Sequence, residues 1–106
     1  MEHLNRVELQ GTVGAVRYNE VFGSGVANFS LATEHNYTNG TDTIVETTWF
    51  NVVAWSGKNI DDLSKVVKGC NVRVVGRFRT NKYTNIQGEE KVHYEVLAQE
   101  LKVLKD

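Results

Sequence analysis

The sequence predicts an all-β domain: a five-stranded barrel with one short helix between the third and fourth strands, with residues 1–106 forming one unit. Three observations predict it. Apolar residues alternate with mostly polar ones in several separate runs, which is the period of a half-buried strand. There are nine glycines and no proline, so glycine and Asn/Asp clusters must make the turns. One stretch, residues 56–68, departs from the period of two and takes up helical spacing.

The elements follow in order. Val7, Leu9, Gly11 and Val13 alternate with mostly polar neighbours and predict a first strand that runs to about Tyr18, bent near Gly14. Gly23-Ser24-Gly25 reads as a turn. Ala27, Phe29 and Leu31 alternate with Asn28, Ser30 and Ala32 in a second strand. Residues 36–43 are dense in turn formers and predict a loop or hairpin tip. A third strand covers Thr48-Trp49-Phe50-Asn51-Val52-Val53-Ala54-Trp55. Ile60, Leu63 and Val67 stand at i, i+3 and i+7, which predicts a short amphipathic helix. Ser56 or Asn59 would cap its start, and Gly69 fits just past its end. Val72, Val74, Gly76 and Phe78 alternate with Arg73, Val75, Arg77 and Arg79 in a fourth strand. Asn85-Ile86-Gln87-Gly88 is a turn, and residues 92–104 form the last strand, with Tyr94, Val96 and Ala98 on one face. Five strands with a helix after the third is the order of an OB-fold barrel.

The bulk numbers bound the function. The formal net charge is −1, so the whole-chain field gives no support for binding a polyanion, and any such site needs local clustering of cations. The single Cys70 excludes an intramolecular disulfide and fits a reducing compartment. The opening residues Met1-Glu2-His3-Leu4-Asn5-Arg6 lack the apolar run of a signal peptide, and no stretch approaches the length of a transmembrane helix. The expectation is a cytoplasmic protein without membrane contact. His3, His35 and His93 share no metal-ligand spacing, and Gly23-x-Gly25 lacks the rest of a phosphate loop. Asp61-Asp62 reads as a solvated pair. No catalytic residue, metal or cofactor is expected, and the chain is not read as an enzyme.

Two constellations carry chemistry. Trp49 and Trp55 are six positions apart, and an even spacing on a strand puts both indoles on one face, opposite Phe50, Val52 and Ala54. Exposed flat rings are what unstacked bases bind. On spacing alone a second buried face or a subunit interface stays open, because large aromatics are often packed. On the fourth strand, if Val72, Val74 and Phe78 face the core, then Arg73, Arg77, Arg79 and Tyr83 share the opposite face, with Lys82 near its end. Cations suit backbone phosphates and rings suit bases, although a solvated strand face would show the same pattern.

Five segments, in order along nearly the whole chain, resemble bacterial single-stranded DNA-binding protein (SSB). They are Asn5-Arg6-Val7-Glu8-Leu9-Gln10-Gly11, the run from Val26 to Thr33, the tryptophan strand, the run from Lys68 to Thr80, and Tyr94-Glu95-Val96. The resemblance implies an OB-fold, usually a homotetramer with a homodimer as the alternative, that coats single-stranded DNA without strong sequence preference. It implies a nucleoid-associated role in DNA replication, recombination and repair. Trp49 matches the Trp of the family's T-x-W motif, and Trp55 takes the place of an aromatic that ends the same strand. Tyr83 matches an aromatic after an R-T-x-K run, and Tyr37 an aromatic after the L-A-T segment. Arg79 and Lys82 match best among the basic residues, then Lys68, with Lys58 a looser match.

The chain also departs from that pattern. Phe50-Asn51 stands where the family commonly has His-Arg, and residues 38–46 contain no Lys or Arg where the family usually has several. Family members commonly continue into a flexible linker and an acidic tip that recruits replication and repair proteins, whereas this sequence stops at Asp106. An accessory OB-fold primosomal replication protein, acting mainly through protein partners, is the alternative.

Overall fold

The computed structural model describes residues 1–104. Alternation and turn chemistry produce β1 (Val7–Val21), β2 (Ser24–Asn39), β3 (Asp42–Trp55), β4 (Asn71–Thr84) and β5 (Glu90–Leu104), with a 3-10 turn at Leu63–Lys65 between β3 and β4. They close a barrel in the order β1-β2-β3-β5-β4. All neighbours are antiparallel except β3 and β5, which meet in parallel at Val52↔Val96 and Val53↔Leu97. The five-stranded barrel is the one the sequence predicts, and closure leaves few free edges along the barrel wall.

The inward side chains are those that the alternation selects. Ala27, Phe29 and Leu31 from β2 meet Val52 and Ala54 from β3, Val72 and Val74 from β4, and Val96, Ala98 and Leu101 from β5. Two irregularities change which residues face in. β1 carries an extra residue between Val13 and Val16, where Val13 pairs Leu31 and Val16 pairs Phe29. This bulge is the bend expected near Gly14, and the Ser30 hydroxyl fills the gap in the ladder by accepting the Ala15 N–H at 2.9 Å. Past it the outward positions of β1 become odd-numbered: Arg17 pairs with the exposed Asn28. β5 has a matching irregularity at Gln99, opposite Val75 and Gly76 of β4.

The turns follow residue chemistry. Phe22 and Gly23 both take positive φ (50° and 81°), the conformation of a tight two-residue hairpin turn. Gly40 has φ of 68° and, with Thr41, closes the β2–β3 hairpin. The turn-rich residues 36–43 are therefore a hairpin tip rather than an open loop, and strand pairing continues to Asn39↔Asp42. The Asn85 side-chain oxygen accepts the Gln87 and Glu89 N–H groups, each at 3.0 Å, and fixes the β4–β5 turn.

The helix expected over residues 56–68 is much shorter than its spacing suggests. Its backbone is claimed from elsewhere: the Leu101 N–H donates to the Asn59 carbonyl, and the Asp61 N–H donates to the Leu101 carbonyl. Ile60 thereby forms a β-bridge to Leu101. Only Leu63–Lys65 coils, capped by Asp62 and not by Ser56 or Asn59. Leu63 and Val66 are buried while Val67 is exposed. Long-range backbone hydrogen bonds outweigh a helical pattern that is rich in Asn, Asp and β-branched residues. Gly69, with φ of 93°, turns the chain into β4.

Candidate nucleic-acid interface

The tryptophan strand presents its rings as its spacing requires. Trp49 and Trp55 are 60% and 41% exposed on the outer face, while Val52 and Ala54 are buried on the inner one. Phe50 is half-buried against the core, and its ring lies 6.4 Å from that of Phe78. Trp49 is held against the barrel by Gly14. A Cβ at Gly14 would stand 2.7 Å from Cζ3 of Trp49 and 2.6 Å from Oγ of Ser30, so only glycine admits the indole at this height.

A groove runs along this outer face. Arg17 of β1, Asn28 and Ser30 of β2, Asn51 and Val53 of β3, and His93 and Glu95 of β5 line it. Strand register explains the grouping. Arg17 pairs Asn28, Asn28 pairs Val53, Val53 pairs Leu97, and Leu97 pairs Arg77, which makes one continuous row across all five strands. Directly paired residues share a face, so the row begins and ends with a guanidinium.

β4 joins the groove through β5. The Arg79 Nε–H donates to Oε1 of Glu95 at 2.7 Å, a short charge-assisted bond to a carboxylate that is nearly buried. Glu95 lines the groove, so Arg79 stands at its margin, and alternation puts Arg77 on the same face. The Tyr83 ring is 5.5 Å from His93, which also lines the groove. The structure thus brings together Trp49, Arg79 and Tyr83 from the expected set, with Trp55 and Arg77 on the same outward face. It adds Arg17, Asn28, Asn51 and His93. Only the β1 bulge makes Arg17 an outward residue, since its odd number matches the inward Val13.

Five expected residues lie elsewhere. Arg73 is outward but is held by Glu8 at 3.4 Å, in a separate cleft with Lys58, Asp61, Glu100 and Lys102. Lys68 is exposed beside Gly69 in the loop before β4. Lys82 alternates with Tyr83, so it faces the other side of the β4–β5 hairpin. Tyr37 stacks on His35, with centroids 6.3 Å apart, on the face of the β2–β3 hairpin opposite Trp49. Phe78, expected in the core, is 38% exposed where β4 leaves the barrel. Among the described residues no cluster of His, Cys, Asp or Glu could hold a metal ion, and no helix is long and apolar enough to cross a membrane.

Comparison with known proteins identifies the chain's relatives. Residues 4–104 match the model of the "Single-strand binding protein family". The chain is 33% identical to "Single-stranded DNA-binding protein 1" of Chlorobaculum tepidum and 35% identical to "Single-stranded DNA-binding protein" of Bacteroides thetaiotaomicron, covering 95% of this chain in each case. It spans 65% and 66% of those relatives' own lengths. A solved structure titled "Plasmodium falciparum SSB complex with ssDNA" superposes with a TM-score of 0.82 at 29% identity, covering 99% of this chain and 98% of that one.

Proposed function

The chain belongs to the single-strand binding protein family, and from that premise we propose that it binds single-stranded DNA with little sequence preference. One observation carries the reading: two tryptophans lie exposed on the outer barrel face, flanked by a groove with arginines at its margins. Bases stack on Trp49 and Trp55, with Tyr83 extending the ring surface past His93. Arg17, Arg77 and Arg79 contact phosphates, and Arg79 keeps one edge of its guanidinium on Glu95. Tyr37, Lys82, Lys68, Lys58 and Arg73 lie outside this first contact zone and meet strand that passes round the barrel. The protein acts as a binding module, not an enzyme, in replication, recombination and repair, in the cytoplasm at the nucleoid.

Assembly is a second part of the proposal. Phe78, Val92 and Tyr94 are exposed along the barrel side of the β4–β5 hairpin. This apolar strip suits contact with further copies in a homotetramer, or a homodimer as the smaller alternative, and light scattering distinguishes the two. The runner-up reading, an accessory primosomal protein, is favoured by the absence of Lys and Arg from residues 18–57.

Fluorescence anisotropy of a labelled oligo-dT tests the function. The proposal expects saturable binding that weakens as salt rises and that duplex DNA competes for poorly. Weak binding at low salt, together with tight capture of a helicase or primase, would favour the runner-up.

A further inference from the structure

Between the two indoles, the outward residues of β2 and β3 carry no charge. Trp49 and Trp55 are six residues apart, so at about 3.3 Å per residue roughly 20 Å separates them along β3. A stacked nucleic-acid strand rises about 3.4 Å per nucleotide, so on the order of five nucleotides bridge the rings. Beneath them lie Asn51 and Val53 of β3, with Ser30 and Asn28 directly opposite on β2. Val53 is buried and supplies a flat base to the floor. The Ser30 hydroxyl oxygen already accepts the Ala15 N–H and keeps only its own O–H to donate. Asn28 and Asn51 are exposed, and among the described residues neither carboxamide hydrogen-bonds to another protein group.

A bare carboxamide pair suits base edges and not phosphates. It attracts an anion far less than a guanidinium does, and it offers a donor and an acceptor side by side. Every base also presents a donor next to an acceptor on its Watson–Crick edge. A half-turn of the amide exchanges donor for acceptor, so one asparagine fits any of the four bases. The two residues are diagonal neighbours on one sheet face, about 7–8 Å apart, a separation that suits successive contacts along one strand.

We propose that Asn28 and Asn51 bind the Watson–Crick edges of the nucleotides that bridge Trp49 and Trp55. These contacts give sequence-tolerant hydrogen bonding where β2 and β3 supply no cation. The inference rests on the single-strand binding reading and assigns a job to the part of the groove that stacking and phosphate contacts leave unused.

The test compares oligo-dT with an oligomer of N3-methylthymidine of equal length. The methyl group blocks the base edge and leaves the stacking face and the phosphates in place. The full chain should bind the methylated strand about five- to tenfold more weakly, the scale of one or two hydrogen bonds. The Asn28→Ala/Asn51→Ala variant should bind both strands alike, with the salt dependence of the unaltered protein. Asn51→Arg should narrow the discrimination and steepen the salt dependence, because a phosphate contact replaces an edge contact. Equal binding of both strands by the unaltered protein would overturn the proposal. So would undiminished discrimination in the double variant. Failure of the unaltered protein to bind oligo-dT at all would instead overturn the single-strand reading beneath it.

Discussion

The β2–β3 hairpin and the β4–β5 hairpin leave the barrel as ladders of similar build, yet they carry opposite chemistry. In the first, pairing runs without a break from Thr33↔Thr48 to Asn39↔Asp42; in the second, from Arg77↔Leu97 to Thr84↔Glu90. The β2–β3 arm holds Glu34, Asp42 and Glu46 and no Lys or Arg. The β4–β5 arm holds Arg77, Arg79, Lys82 and Lys91 alongside Glu89, Glu90 and Glu95. Backbone pairing therefore builds either arm, and in the proposed function side chains decide which one meets DNA. Position strengthens the contrast. The root of the β4–β5 arm turns Glu95 and His93 into the groove, whereas Tyr37 on the β2–β3 arm faces away from Trp49.

The largest expected effect is on β3, at the root of the β2–β3 arm. Trp49→Ala should weaken oligo-dT binding by about 1–3 kcal/mol, with little change in thermal stability, because the ring is mostly solvent-facing. Gly14→Ala reaches the same ring from β1: its Cβ would displace the indole, and the loss of binding should approach that of Trp49→Ala. If both variants bind as the unaltered protein does, the groove is not the contact surface.

On the β4–β5 arm, Arg79 and Arg77 should separate. Arg79→Ala strips a partner from a nearly buried carboxylate and should lower stability by on the order of 1–3 kcal/mol in urea melts. Arg77→Ala should leave stability unchanged and flatten the plot of log affinity against log salt by about 0.7. An Arg77→Ala variant whose salt dependence is unaltered would remove the phosphate role.

On the β2–β3 arm, Glu34→Gln with Glu46→Gln should change affinity less than Arg77→Ala does, since an arm outside the first contact zone senses the phosphates mainly through screened charge. A larger effect would mean that the acidic arm belongs to that zone. The smallest effect is at the 3-10 turn. The Ser64 N–H and hydroxyl both donate to Asp62, which holds its carboxyl below the ordinary carboxylate range. The stability it contributes is present at neutral pH and fades as pH falls through that range, and Asp62→Asn should remove this small acid sensitivity from urea melts.

The contrast between the arms also marks what could be read from residues alone. The tryptophan pair, the buried stripe of Ala27, Phe29 and Leu31 and the bend at Gly14 are local signals, and the structure keeps each of them. The features that escaped depend on partners far along the chain. Leu101 takes the backbone of residues 59–61 and shortens the helix. Glu95 ties down Arg79, which the strand pattern presents as a free cation. The extra residue at Gly14–Ala15 reverses the parity that would have turned Arg17 inward. His93 looks like an isolated histidine until β5 is set beside β3. A period of two predicts faces only as far as the next bulge.

The central claim is that both indoles of β3 stack on bases. Tryptophan emission of Trp49→Phe and Trp55→Phe, each keeping one indole, tests it directly in titrations with oligo-dT at low salt. The account predicts saturable quenching of the remaining tryptophan in both variants, reversed by added salt. Full binding by anisotropy with unchanged emission from both would contradict it.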